Sequence, residues 1–178
     1  MPGVTGRPFG VLVVDDEADM RELLTDFFRA RGLSVATAAD GRAAVAELQR
    51  APSAFGLVLT DLKLPGCDGL QVLEHARRAN PSTAVVIITG YASLDTAIQA
   101  VKLGAYDYLA KPFALGQLEI LLKRVIDRSA LETENRHLAR LADRRDASDG
   151  PPATARLDAL ERRVARLEAL TRDLIAPS

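Results

Sequence analysis

Five polar side chains fall where short apolar runs end. Asp15 and Asp16 follow Gly10-Val11-Leu12-Val13-Val14, and Asp61 follows Leu57-Val58-Leu59-Thr60. Thr89 closes Ala84-Val85-Val86-Ile87-Ile88, and Lys111 comes just after Tyr106-Asp107-Tyr108-Leu109. A lone Asp at a strand end is more often structural than chemical. Three carboxylates brought together are different, because like charges raise one another's pKa unless something neutralises them. A hard divalent cation does this. Mg2+ takes octahedral oxygen ligands, keeps several waters, and typically uses one or two carboxylates plus a phosphate. Lys111 would add a point charge suited to a phosphoryl oxygen. Thr89 would add a hydroxyl donor, beside the small Gly90. One carboxylate then remains as a nucleophile, and Asp61 is the better candidate, with metal on one side and lysine on the other. Carboxylates form aspartyl-phosphate intermediates, and phosphoryl transfer asks mainly for positioning and charge neutralisation.

That chemistry requires a scaffold that delivers all five side chains to one edge. The apolar runs at residues 10–14, 57–60 and 84–88 have the length and continuity of strands buried on both faces. Leu33 to Ala38 and Tyr106 to Leu109 read as two further strands. Helical spacing separates them: Met20, Leu23, Leu24, Phe27 and Phe28, closed at Gly32; Ala44, Val45 and Leu48 after Asp40-Gly41; Leu70, Val72, Leu73 and Ala76 behind a capping Asp68; and Ile98 and Val101 after Ser93 or Asp95, ending at Gly104. From Ala114 the pattern is helical again. Strand and helix thus alternate five times, which implies an α/β fold with a parallel sheet and helices on both faces. The compact solution is a flavodoxin-like, doubly wound five-stranded sheet of order 2-1-3-4-5. Its switch point, between the first and third strands, is where Asp15, Asp16 and Asp61 would converge.

Composition narrows the classes. The 178 residues suffice for one core and an appendage. A net charge of −1 gives no global argument for nucleic-acid binding. Cys67 is the single cysteine, which excludes an internal disulfide and a cysteine-based zinc site. No apolar run approaches a membrane span and the N-terminus lacks a signal-peptide core, so a cytoplasmic protein is the expectation.

Val13-Val14-Asp15-Asp16-Glu17, Thr60-Asp61-Leu62-Lys63-Leu64-Pro65-Gly66, Ile88-Thr89-Gly90-Tyr91 and Tyr106-Asp107-Tyr108-Leu109-Ala110-Lys111-Pro112-Phe113 together resemble the receiver domain of two-component response regulators. The resemblance covers roughly Phe9 to Arg128. It implies that Asp61 accepts a phosphoryl group from a histidine kinase. It also implies that Asp16 and Asp61 bind Mg2+ with the Lys63 main-chain carbonyl as a third ligand, while Asp15 acts through a metal-bound water. Thr89 would turn its hydroxyl to the phosphoryl group, Tyr108 would be the aromatic that moves inward with it, and the Lys111-Pro112 bond would be cis. On this reading the protein is a switch rather than an enzyme, catalysing only its own phosphorylation and dephosphorylation. Lys63 and Tyr91, each two residues past a site residue, could shield the acyl phosphate from water. A phosphatase of the haloacid-dehalogenase type is the rival enzyme class, but it expects an Asp where Lys63 stands.

Residues 10–128 are the expected receiver domain, after a loose leader at 1–9. A helical extension is expected over 129–145, a linker over 146–152, and an amphipathic helix over 153–176. In that last helix Leu157, Leu160, Val164, Leu167, Thr171 and Leu174 follow an a/d pattern, and Asn135 sits in the stripe of the extension, as a register-setting Asn does in a coiled coil. The segment Leu131 to Leu138 is similar to regulators of the nitrogen-regulation type, whose ATPase and DNA-binding domains have no counterpart in these 178 residues. From Lys123 onward twelve Lys and Arg stand against ten Asp and Glu, so no basic recognition helix stands out. The expected output is therefore protein–protein. The tail would dock on an unidentified output protein or pair with a second copy, as could the face of the fourth helix, fifth strand and fifth helix. A transcriptional role through the tail or a partner, and a phosphorelay intermediate or phosphate sink, are the alternatives.

Overall fold

The computed structural model of the protein describes residues 9–148, Ala92 aside. Elements alternate as expected: β1 (Gly10–Val14), α1 (Ala18–Arg29), β2 (Ser34–Ala38), α2 (Gly41–Arg50), β3 (Phe55–Thr60), α3 (Gly69–Ala79), β4 (Ala84–Thr89), α4 (Leu94–Lys102), β5 (Asp107–Ala110) and α5 (Leu115–Ser148). The sheet is parallel throughout, in the order β2-β1-β3-β4-β5. This is the flavodoxin-like order read from the sequence.

The strand period of two divides the core into two layers. Val11, Val13, Leu57, Leu59, Val86 and Ile88 face one way, against Leu24, Phe27 and Phe28 of α1 and Leu118, Leu121, Leu122 and Val125 of α5. Leu12, Val14, Val58, Val85 and Ile87 face the other way, against Ala44 and Leu48 of α2, Val72, Leu73 and Ala76 of α3, and Ala100 of α4. Central strands covered on both faces are apolar where they cross the core, which is why β1, β3 and β4 are apolar runs with Thr60 and Thr89 only at their carboxyl ends. Edge strand β2 buries only Ala38 fully.

Local signals end the elements. Asp40 caps α2 by accepting from the Ala43 amide at 2.8 Å. Asp68 and Gln71 form a reciprocal capping box on α3, and Ser93 with Thr96 forms one on α4, so Ser93 is the N-cap rather than Asp95. Gly32 takes φ +77° just past α1, the left-handed turn anticipated there. Ile98 and Val101, which suggested α4 by their spacing, are 43% and 69% exposed; Ala100 is the residue of α4 that is buried.

The chain divides into two compact units, Met1–Ala130 and Leu131–Ser178. In the second, the described part of α5 carries exposed Leu131, Leu138 and Leu141. The helix runs to Ser148, three residues into the stretch read as a linker from Asp146. The rest of that stretch, the helix expected over 153–176 and the leader up to residue 8 lie outside the described residues. Among the described residues no helix is long and apolar enough to cross a membrane.

Candidate functional site

The sheet order places the ends of β1 and β3 side by side, and main-chain bonds fix the residues just beyond those ends. The Asp61 amide donates to the Val14 carbonyl at 2.8 Å, and the Asp15 amide donates to the Ala38 carbonyl at 3.2 Å. Asp15 and Asp61 are thereby buried at the carboxyl edge, 2% and 7% exposed, while Asp16 is exposed. Carboxylate oxygens of Asp15, Asp16 and Asp61 all lie within 4.8 Å of one another.

Lys111 arrives from β5. Its amide donates to the Thr89 carbonyl at 2.8 Å, and its peptide bond to Pro112 is cis. The ammonium bridges the two buried acids, donating to Asp15 Oδ2 at 2.8 Å and to Asp61 Oδ2 at 2.9 Å, with Glu17 Oε1 at 3.4 Å. The remaining oxygens are held by main-chain donors. Asp15 Oδ1 accepts from the Glu17 amide at 2.9 Å, and Asp61 Oδ1 accepts from the Lys63 amide at 3.1 Å.

The electrostatics of this cluster are lopsided. Burial pushes the Asp15 carboxyl above its ordinary range, by more than the Lys111 hydrogen bond and the Glu17 amide pull it down. Burial alone would lower the Lys111 ammonium, but hydrogen bonds and charge from Asp15 and Asp61 raise it above the ordinary lysine range. The lysine thus gains from two anions, while each buried anion shares one cation. The Asp16 carboxylate takes no hydrogen bond or ion pair among the described residues and faces water. An oxygen-only donor set in excess negative charge, open to solvent on one side, suits a hard, partly hydrated cation.

Thr89 and Tyr108 stand on the neighbouring strands β4 and β5. Thr89 is fully buried, and its Oγ1 accepts from the Tyr91 amide at 3.1 Å. Tyr108 pairs in register with Ile87 and is half-buried, and its hydroxyl lies 2.9 Å from Thr96 Oγ1. All seven residues singled out from the sequence are therefore at this edge or on the strands that lead to it. Three others emerge from the structure. Arg21 reaches back from α1 to the Asp15 and Asp16 carbonyls at 2.7 and 3.0 Å, clamping the acidic loop. Glu17 reaches Lys111, and Thr96 meets Tyr108. Glu17 could have been flagged as the third acid of a run, and Arg21 by its place one helical turn behind that run. Thr96 has only its capping spacing from Ser93 as a signal.

A doubly wound sheet with acids and a lysine at this edge defines a class, and comparison with known proteins agrees. The chain matches the response regulator receiver domain over residues 11–123 and belongs to that family. It is thus a receiver of two-component signalling, a module that histidine kinases phosphorylate rather than a conventional enzyme. It is 40% identical over 144 residues to the response regulator protein PilR of Pseudomonas aeruginosa, covering 81% of this chain and 31% of that one. Against the C4-dicarboxylate transport transcriptional regulatory protein DctD of Rhizobium meliloti it is 32% identical over 152 residues, 85% of this chain and 32% of that one. The solved receiver domain of NtrX from Brucella abortus superposes with a TM-score of 0.59 at 35% identity, covering 66% of this chain and 98% of that one. The chain spans about a third of the length of the curated relatives it matches.

Proposed function

We propose that Asp61 is the phosphoacceptor, and the Lys111 bridge between Asp15 and Asp61 is the observation that carries this reading. A carboxylate oxygen of Asp61 attacks the phosphorus of a phosphohistidine on the kinase. The P–N bond breaks, the new P–O bond forms, and the imidazole leaves with the electron pair. Lys111, already against the Asp61 carboxylate, balances charge on the incoming phosphoryl oxygens. Asp15, Asp16, Asp61 and the Lys63 main-chain carbonyl would hold Mg2+, with Asp15 acting through a bound water. When bound, Mg2+ supplies charge neutralisation and orientation of the phosphoryl oxygens. Thr89 donates its hydroxyl to the phosphoryl group, and Tyr108 follows it inward. That shift favours one state of a two-state equilibrium and alters the face made by α4, β5 and α5.

Output on this reading is protein–protein. Leu94, Ile98 and Val101 of α4, and Leu131, Leu138 and Leu141 of α5, are exposed apolar side chains that a partner or a second copy would cover. Direct DNA contact is the second reading, and the transcriptional role named for the DctD relative favours it. Incubation with acetyl phosphate and Mg2+, read by 31P NMR, tests the assignment: wild type forms an acyl phosphate and Asp61→Asn does not. Label retained in Asp61→Asn sinks it. A pull-down with wild type, Asp61→Asn and tail-deleted protein, with and without acetyl phosphate, separates a tail-borne partner from one bound by the receiver face.

A further inference from the structure

We propose that Thr96 is a positioning residue that ties Tyr108 to the first turn of α4, so that Tyr108 cannot move without breaking that bond. The inference rests on the reading of Asp61 as phosphoacceptor and of Tyr108 as the aromatic that moves.

The Tyr108 hydroxyl and Thr96 Oγ1 lie 2.9 Å apart, joining β5 to the first turn of α4. Thr96 is not a bystander there. Its Oγ1 accepts from the Ser93 amide at 3.2 Å, lies 2.9 Å from Ser93 Oγ, and donates to the Ser93 carbonyl at 3.0 Å. A threonine hydroxyl has one proton and two lone pairs. With that proton committed to the Ser93 carbonyl, the tyrosine is the donor in the bond between β5 and α4. The Tyr108 ring packs against the core layer that α4 covers, so its hydroxyl is anchored at the one polar end of an otherwise apolar contact. Moving the ring means breaking this bond at the helix cap.

The rest of α4 makes the bond matter. Ala100 is its one buried residue, and Leu94 is 77% exposed. A helix with so little buried apolar surface is held to the body weakly. The capping bonds run between Ser93 and Thr96 within the helix start, so the Tyr108 bond is a large part of what ties that turn to β5. The Thr96–Tyr108 bond therefore weights the two-state equilibrium of Tyr108, and removing it changes the affinity for a phosphoryl group.

The test uses the full chain and beryllofluoride with Mg2+ as the phosphoryl mimic. Thr96→Val keeps the shape and removes the hydroxyl. Loss of one typical hydrogen bond changes beryllofluoride affinity about two- to tenfold. Ser93→Ala breaks the cap without touching Tyr108 and leaves the affinity within about twofold. In a Tyr108→Phe background, Thr96→Val has no further effect. A second readout needs no metal: with fluorotyrosine incorporated, the Tyr108 19F resonance of the free protein moves in Thr96→Val and stays in Ser93→Ala. Unchanged binding in Thr96→Val, or an equal change in Ser93→Ala, overturns the proposal. Should wild type bind no beryllofluoride while the free-protein resonance still moves, the phosphoacceptor reading has failed and the Thr96–Tyr108 contact has not.

Discussion

The Lys63 ammonium lies 3.5 Å from the centroid of the Tyr91 ring. The residue two places after Asp61 thus touches the residue two places after Thr89, although Tyr91 is 63% exposed. The Lys63 amide meanwhile donates to Asp61 Oδ1, so the pair is tied to the proposed phosphoacceptor through the main chain. A cation–π contact of this exposed kind contributes about 0.5–1 kcal/mol.

If the pair restricts water at the acyl phosphate, truncating both residues to Ala shortens its lifetime. A barrier change of the size of that contact corresponds to roughly two- to fivefold in rate. The phosphoryl half-life of Lys63→Ala/Tyr91→Ala, followed by 31P NMR after removal of the donor, checks this. An unchanged half-life removes the shielding role from both side chains.

Metal binding by the acidic cluster has a stability signature independent of phosphorylation. A cation that binds only the folded state at ten times its Kd adds about 1.4 kcal/mol. For a domain of this size that raises Tm by roughly 3–6 °C. Wild type should show this rise on adding MgCl2, and Asp61→Asn and Asp16→Asn should lose most of it. Asp15→Asn should also melt higher than wild type without metal, because burial makes the Asp15 charge unfavourable in the fold. A Mg2+ response retained in both Asp61→Asn and Asp16→Asn places the cation elsewhere.

Much of this arrangement is legible in the sequence, for identifiable reasons. β1, β3 and β4 are covered on both faces, so their positions are apolar without interruption and their polar ends stand out. Asp68 and Ser93 are legible as caps because the chemistry of a helix start is local. Edge strands β2 and β5 each begin one residue later than their composition suggests, since partial burial leaves their ends weakly marked. Helical spacing announced an apolar face on α4, yet spacing alone does not tell whether anything covers it, and Leu94, Ile98 and Val101 are exposed. Contacts between distant segments left no trace. Nothing local says that Glu17 reaches Lys111, or that Thr96 meets a tyrosine twelve residues away.

Two glycines belong to the same category. A Cβ at Gly69 would overlap the Asp61 carbonyl oxygen, and one at Gly41 would overlap the Cys67 carbonyl oxygen. Both obstacles are main chain, which cannot swing aside as a side-chain tip can. Gly69→Ala should therefore cost about 1–3 kcal/mol and displace the Asp61 main chain, slowing phosphorylation as well. Gly116→Ala, where a Cβ meets nothing, is the matched control on α5. Urea unfolding of the two variants checks the contrast, and equal midpoints would show that the α3–β3 approach is not tight.

Lys111 gives the sharpest pH prediction. Its folded-state pKa is raised above that of an unfolded lysine, so its contribution to stability is fully present below about pH 10.4 and is lost only as pH rises beyond that, through the folded value. At pH 7 the wild type therefore has this contribution in full. Lys111→Met removes it and leaves Asp15 and Asp61 buried without their cation, at a cost of about 3 kcal/mol. The sign for Asp15 is the opposite. Asp15 already has a raised folded pKa, so its charge opposes folding above that pKa, and the penalty is relieved as pH falls toward the unfolded value near 3.9. Without Lys111 that pKa climbs further and the relief begins at higher pH. Unfolding free energies measured in urea at pH 7, 6 and 5 should converge, with the variant regaining stability relative to wild type on acidification. Parallel curves would mean that Lys111 does not neutralise the buried acids, and the electrostatic account of the site would fall with it.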